Sequence, residues 1–370
     1  MTPYVLREGL SNGMSDFRSY FKGKKITVLG LGLLGRAVGD AEFLAKYGAE
    51  LIITDLKSST ELRPSLQKLR KYKNIKFVLG EHRIGDFKNR DFILKAAGVP
   101  LDSPFILEAK KNNVPVEMSA SLFAKLSELP IIGVTGTRGK STVTHMIAHI
   151  LKMARRKFLL GGNVAGVSTL SLLPNSKSAK IALFELDSWQ LQGFADSGIS
   201  PQISVFTTFF PDHLKYYGGS MERYFKDKAF IFKNQKAGNK LIAGEQAYSY
   251  IKEWGGKILS DMSVPPKKLP KGFKISIPGE HNEYNATLAL TTARILGIKD
   301  SIIKKALKSF KGVPGRLELI REVKGVKFYN DTTATTPEAT IAALKALKAK
   351  SQKLKANIIL IMGGSDKGLD

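Results

Sequence analysis

Residues 135–142 read Thr-Gly-Thr-Arg-Gly-Lys-Ser-Thr, a stretch in which two glycines, a lysine and four hydroxyl side chains lie between apolar runs. Gly136 and Gly139 let backbone N–H groups turn toward a common point, and a helix beginning there adds its dipole and its unpaired donors. Lys140 brings a point charge to β- and γ-phosphates, and Ser141 offers a hydroxyl to Mg²⁺, with Thr142 beside it. Val134 stands where the strict G-x-x-x-x-G-K-[ST] motif has its first glycine, so the form here is T-G-T-x-G-K-S, with Thr137 in the turn. The chemistry implied is the handling of a nucleotide triphosphate.

A phosphate cradle needs metal ligands and groups that position the reacting partners. Glu185 ends the apolar run IALFE, which places a carboxylate for Mg²⁺ near Ser141. His213 follows another apolar run in FFPDHLKYYG, and Lys228 lies fifteen residues later on an expected helix. In GEHNEYNATLAL, Asn282 and Asn285 sit one helical turn apart and face the same way, suited to the edge of an adenine. A second glycine pattern, Gly30, Gly32 and Gly35 with Asp55 further on, has the form of a dinucleotide fingerprint. No later segment looks like a hydride-transfer site, and a βαβ unit can hold any diphosphate at its helix N-terminus. Diphosphate binding without hydride chemistry is the expectation.

The elements that must position these groups follow from periodicity. Ile131, Ile132 and Val134 suit a buried strand, and Val143, Met146, Ile147, Ile150 and Leu151 recur at helical spacing. Strands are expected at 24–30, 50–55, 75–80, 91–98, 181–186 and 203–209. A turn and short helix are expected over 112–130, a helix from His281 to about Phe310, a strand-like start after 311, and a buried strand in ANIILIMGG. With 370 residues, 43% hydrophobic and 24% charged, the chain is an ordinary globular protein of two or three domains. It has no cysteine, which removes disulfides and thiolate chemistry. No secretory core or membrane-length apolar run is present, so a cytoplasmic protein is expected. The net charge of +26 is spread through nearly every segment, without a nucleic-acid-binding signature, so no nucleic-acid partner is expected.

Several segments together carry a resemblance to the Mur ligases, ATP-dependent amide-forming enzymes of peptidoglycan precursor synthesis. TGTRGKS is similar to that family's TGTNGKS, ELDSWQL to ELSSFQL, DHLKYYG to DHLDRHG, and VPGRLE with NDTTATTPEAT to HRLE and NDSKATNPEAT. ELDSWQL helps mark the branch that adds D-glutamate, a placement that rests mainly on three of these matches. The resemblance covers essentially the whole chain. It implies an α/β protein of three domains: a Rossmann-like domain at 1–118 for a UDP-linked substrate, a P-loop ATPase-like central domain at 119–312, and the start of a Rossmann-like domain at 313–370, expected to be incomplete.

It further implies that UDP-N-acetylmuramoyl-L-alanine and D-glutamate are joined through an acyl phosphate at the expense of ATP. Lys140, Glu185, His213 and Lys228 would be catalytic. Ser141 and Glu185 would hold one Mg²⁺, and His213 with a carbamylated Lys228 the second. Gly136, Thr137, Gly139, Lys140, Ser141, Thr142, Asn282, Asn285, Arg316 and Asp331 would contact ATP. Gly32, Gly35, Asp55, Gly98, Asn163 and Gln190 would serve the UDP substrate, and Thr335 and Lys367 the incoming amino acid. A monomer is expected. Departures stand at Arg138 for Asn, Asp187 for Ser, Thr208 for Asn and Thr333 for Lys, and at Leu34 and Leu56 for hydroxyl residues. A sibling ligase with another acceptor and a silent nucleotide-binding homologue are the competing readings.

Overall fold

The computed structural model describes residues 17–33, 35–334, 337–351 and 357–364. A short helix α1 (Phe17–Phe21) leads into alternating strands and helices: β1 (Lys25–Leu29), α2 (Arg36–Lys46), β2 (Glu50–Asp55), α3 (Arg63–Leu69), β3 (Ile75–Leu79), β4 (Phe92–Lys95), α4 (Pro104–Lys111) and β5 (Val116–Glu117). These strands form one parallel sheet in the order β3-β2-β1-β4-β5. In β1 and β2 every residue after the first is buried, as expected where helices cover both faces. The order reverses between β1 and β4, so the loops after these two strands diverge and leave a crevice beyond their carboxyl ends.

Helix α5 (Ser119–Ser127) carries the chain to a second parallel sheet. Its elements are β6 (Ile131–Thr135), α6 (Lys140–Met153), β7 (Phe158–Gly162), β8 (Ile181–Glu185), α7 (Ser188–Asp196), β9 (Ile203–Phe206), α8 (Met221–Lys233), β10 (Lys240–Ala243), α9 (Glu245–Trp254) and β11 (Asp261–Ser263). The strand order is β11-β10-β9-β6-β8-β7, with β6 in the interior. Helices α10 (Glu280–Ile295) and α11 (Asp300–Ser309) pack on α6 through Met146, Ile150, Ala286, Leu290 and Ile303. The other face of the sheet shares a core with the first sheet's helices, through residues such as Phe123, Phe184, Phe194 and Leu170. A hairpin of β12 (Glu318–Val323) and β13 (Val326–Asn330) and a helix α12 (Pro337–Ser351) follow.

The mixed α/β class expected from the sequence is what is found, with three local differences. The segment from His281 to Phe310 is two helices, because Gly297 takes φ 70 at the end of α10 and stops it. Strands β5, β7, β10, β11 and β13 are additional; β7, Phe-Leu-Leu-Gly-Gly, is masked in sequence by its glycines and by the basic run before it. Residues 357–364 are exposed and irregular, where a buried strand was expected: no strand among the described residues pairs with them, and an apolar run without a neighbour has no ladder to join. Among the described residues no helix is long and apolar enough to cross a membrane.

Candidate active site

The turn between β6 and α6 is shaped by close packing. A Cβ on Gly136 would lie 2.1 Å from Thr207 Oγ1, and one on Gly139 would lie 2.5 Å from Asn285 Oδ1, so only hydrogen fits at either place. Thr137 ties the turn to the loop after β9: its N–H donates to Thr208 O at 2.7 Å, its hydroxyl to Phe210 O at 3.1 Å, and it accepts from Phe210 N at 3.0 Å. The first N–H groups of α6, at Lys140, Ser141 and Thr142, have no intrahelical acceptor by position and face out of the turn.

Two lysine side chains converge beneath this turn. Lys140 Nζ donates to Gly136 O at 2.9 Å and to Thr137 O at 3.2 Å, and Lys228 Nζ, from α8, donates to the same Gly136 O at 2.9 Å. Lys228 is almost fully buried above the Tyr224 ring, 4.8 Å from its centroid. Burial lowers the pKa of Lys140, against the attraction of Glu185 and Asp187. Burial also lowers that of Lys228 well below the ordinary lysine value, and the neighbouring Lys140 charge adds to the effect.

Glu185 lies level with Val134 across β6–β8 and is buried. Asn163 Nδ2 donates to its Oε1 at 3.3 Å, and Asn163 in turn accepts from the Arg36 guanidinium. Ser141 Oγ accepts from Arg316 Nη2 at 3.0 Å, so the segment before the hairpin already reaches the turn. Asp331 Oδ1 accepts from Leu317 N at 2.8 Å and holds that segment in shape; burial raises its pKa. Asn282 and Asn285 are both buried and joined to each other at 3.4 Å, with Asn285 against Gly139. His213 sits at φ 53, its ring 4.7 Å from that of Trp189, and burial lowers its pKa against the pull of Asp212. Thr142 is buried at the start of α6.

The loops after β1 and β4 line a cavity of about 370 Å³ that includes Gly32, Asp55, Gly98 and Gln190. Asp55 Oδ2 accepts from Leu31 N at 2.8 Å and Gly32 N at 2.9 Å, and Oδ1 from Lys57 N at 2.9 Å. The carboxylate therefore shapes the glycine turn. Gly35 lies outside the cavity lining, as the residue before α2, and Asn163 reaches the cavity edge through Arg36. Thr335 and Lys367 lie outside the described residues.

One residue near the site carried no signal in the sequence, and four others were visible there only as departures from the family pattern. Arg36 begins a helix and reads there as an ordinary surface cation. Arg138 pairs with Asp212, Nη1 to Oδ2 at 3.2 Å, across the turn. Asp187 caps α7, accepting from Gln190 N at 2.7 Å, while Gln190 Oε1 accepts from Asp187 N at 3.3 Å. This reciprocal pair gives the aspartate a local structural role and fixes the Gln190 side chain beside the cavity. Thr208 Oγ1 accepts from Arg138 N at 2.9 Å, and Thr333 Oγ1 donates to Gly315 O at 2.8 Å.

Residues 24–117 match the family profile described as Mur ligase MurD-like, N-terminal domain; 134–262 match the Mur ligase middle domain, and 315–370 the Mur ligase, glutamate ligase domain. The chain is 35% identical over 368 residues to the UDP-N-acetylmuramoylalanine–D-glutamate ligase of Borreliella burgdorferi, covering 94% of this chain and 79% of that one. It is 33% identical to the enzyme of the same name from Roseiflexus sp., with the same coverage. Among solved structures it resembles the UDP-N-acetylmuramate-alanine ligase MurC of Thermotoga maritima, with a TM-score of 0.56 and 23% identity over 88% of this chain and 77% of that one. That likeness speaks to the fold.

Proposed function

We propose that this chain, which belongs to the Mur ligase family, joins D-glutamate to UDP-N-acetylmuramoyl-L-alanine with ATP, in peptidoglycan precursor synthesis. It is an ATP-dependent, amide-forming ligase. The observation that carries the site assignment is the convergence of Lys140 and Lys228 on one carbonyl oxygen of the phosphate turn, with Glu185 one strand away. The division into 1–118, 119–312 and 313–370 is part of the same proposal, as is a monomeric working unit.

The substrate carboxylate attacks the γ-phosphorus of ATP, the bond to the β-phosphate oxygen breaks, and ADP leaves. The glutamate amine then adds to the carbonyl carbon of the acyl phosphate, the C–O bond to phosphate breaks, and the amine gives up its proton. Charge builds on phosphoryl oxygens and on a tetrahedral carbon, so the protein's task is positioning and cationic stabilisation. Lys140 and the N-terminal amides of α6 serve the phosphates, with Gly136, Thr137 and Gly139 shaping the turn and Thr142 supporting it. Asn282 and Asn285 face the base, and Arg316, held by the Asp331 turn, reaches the nucleotide. Gly32, Gly35, Asp55, Gly98, Asn163 and Gln190 form or support the UDP site. Thr335 and Lys367 are assigned to the amino acid.

Members of the family use ATP and Mg²⁺. Ser141 and Glu185 supply the hard oxygen donors that Mg²⁺ prefers, and would hold one ion; His213 and Lys228 would hold a second. Among the described residues no three His, Asp or Glu side chains gather at one point, which suits an ion completed by phosphate oxygens and water. Bound Mg²⁺ would supply charge neutralisation at the phosphoryl oxygens. Lys228 fits such a role only as an anion. Its lowered pKa favours the neutral amine, whose nitrogen can add to CO₂, forming an N–C bond and releasing a proton to leave a carbamate.

The test is phosphate release with ATP, Mg²⁺ and UDP-N-acetylmuramoyl-L-alanine, with and without D-glutamate, and mass spectrometry of the product. Release and a new amide only with D-glutamate are expected. The same amide formation with another amino acid in its place would overturn the substrate assignment. Native mass spectrometry in bicarbonate buffer should show one added CO₂, lost in Lys228→Ala.

A further inference from the structure

Lys95 ends β4 on the floor of the cavity between the two loops, and it is only 3% exposed. Its ammonium donates to Val99 O at 2.7 Å, with longer bonds to Ala96 O at 3.4 Å and Ala97 O at 3.5 Å. The short bond is the one to Val99 O; Ala96 O and Ala97 O lie at the outer limit of hydrogen bonding, and Ala96 O also closes the turn by accepting from Val99 N at 3.2 Å, so the ammonium faces the carbonyl side of this loop. In a trans peptide the N–H points opposite the carbonyl. Turning the carbonyls of Ala96 and Ala97 inward therefore turns the N–H groups of Ala97 and Gly98 away from Lys95. Neither N–H meets an acceptor among the described residues, and both residues line the cavity. A Cβ on Gly98 would have nothing within 4 Å, so the space in front of this turn is open.

We propose that Lys95 is a positioning residue for the nucleotide-linked substrate: it folds the 96–99 loop so that two adjacent N–H groups, Ala97 and Gly98, receive an oxygen of the UDP portion. The inference rests on the UDP assignment above. It adds two donors opposite the glycine turn after β1, where Asp55 takes the N–H groups of Leu31 and Gly32. The loop is also placed by that turn: a Cβ on Gly30 would lie 3.0 Å from Ala96 Cβ.

The ammonium is poised to lose its proton at mildly alkaline pH. Burial pushes its pKa down to about 8, against the attraction of Asp187 and Asp196 on α7 and Asp227 on α8, while Lys110 on α4 pushes the same way as burial. Neutral Lys95 donates more weakly to the three carbonyls, so the loop should loosen as pH rises through that value.

Calorimetry with UDP on the full chain tests this, comparing the unaltered protein, Lys95→Met and Lys95→Arg. Lys95→Met should weaken UDP roughly tenfold while ATP affinity stays within about twofold, and Lys95→Arg should restore most of the loss. Between pH 7 and pH 9 the unaltered protein should lose UDP affinity, and Lys95→Arg should not. A Lys95→Met protein with unchanged melting temperature and unchanged UDP affinity would overturn the proposal. Should that variant fail to fold, a flat pH profile in the unaltered protein overturns it equally. If the unaltered protein binds neither UDP nor UDP-N-acetylmuramoyl-L-alanine, the substrate assignment itself falls and Lys95 with it. If it binds both and only the Lys95 effects are missing, the assignment stands alone.

Discussion

The chain contains two glycine-rich turns, each between a parallel strand and a helix, and they are glycine-rich for different reasons. After β6, Gly136 and Gly139, at φ 140 and 85, are required by neighbours as well as by conformation: Thr207 and Asn285 stand where a methyl group would go. After β1, Gly32 and Gly35 face open space and are required by backbone conformation, at φ 62 and 79. The first turn has its N–H groups at Leu31 and Gly32 taken by a carboxylate, Asp55. The second has two lysines drawn under it and leaves its helix N-terminus open. Similar strand–turn–helix corners thus have a carboxylate folded into one and lysines drawn under the other. A glycine pattern describes a turn; the charges around it decide what the turn holds.

The largest expected effect separates the two at the level of chemistry. Lys140→Met should lower kcat/KM for amide formation about 10³-fold, because no other charge can follow the transferring phosphoryl group from that position. Arg36→Met, beside the first turn, should act chiefly on KM for the UDP substrate. Equal effects on kcat, measured by steady-state kinetics, would break the distinction.

A smaller effect tests the two kinds of glycine. Gly136→Ala forces a contact with Thr207 at a positive φ and should cost about 3 kcal/mol of stability, while Gly32→Ala meets only the conformational penalty, about 1 kcal/mol. Urea midpoints of the two variants would rank them, and the opposite order would refute the packing argument.

Asp55→Asn should cost about 1 kcal/mol at pH 7. Burial alone would raise the Asp55 pKa, but the N–H groups of Gly32, Lys57 and Leu31 outweigh it and the net shift is downward. A carboxylate with a lowered folded pKa contributes stability that is full above its unfolded value, near 3.8, and lost as pH falls through the folded value. The gap between the unaltered protein and Asp55→Asn should therefore close in acid, below about pH 4. A gap that persists there would mean the charge is not what matters.

The smallest effect concerns α7, between the two sites. Asp187→Ser keeps a capping side chain and should change stability by less than about 0.5 kcal/mol, while Asp187→Ala should cost about 1 kcal/mol. If Asp187 repelled the anionic substrate, the serine variant would bind it more tightly; affinity within about twofold is expected.

Much of this site was legible as residue types at fixed spacing. Lys140, Ser141 and Glu185 follow an apolar run or begin a helix, and Asn282 and Asn285 lie one turn apart near a helix start, positions that periodicity exposes; Lys228 lies in the middle of α8 and is assigned through the family resemblance. The capping role of Asp187 was legible in principle, since aspartate three residues before glutamine marks a helix start. Arg36 and Lys95 were not legible, because a lysine at the end of a strand and an arginine at the start of a helix are common on surfaces. Only the crevice buries Lys95 and brings Arg36 to the cavity wall.

The phosphate turn and most of the strands around it followed from the sequence alone, because they depend on local periodicity and on chemistry carried within a few residues; the class of reaction followed from the family resemblance that several such segments carry together. The tertiary structure decided which groups share an atom. Gly136 O is met by lysines 88 positions apart in the chain, and Ser141 by an arginine 175 positions away. It also decided that Asp55 would fold a turn and that Lys95 would be buried beneath another. Such outcomes depend on burial and on distances across the sheet, and strand pairing sets both.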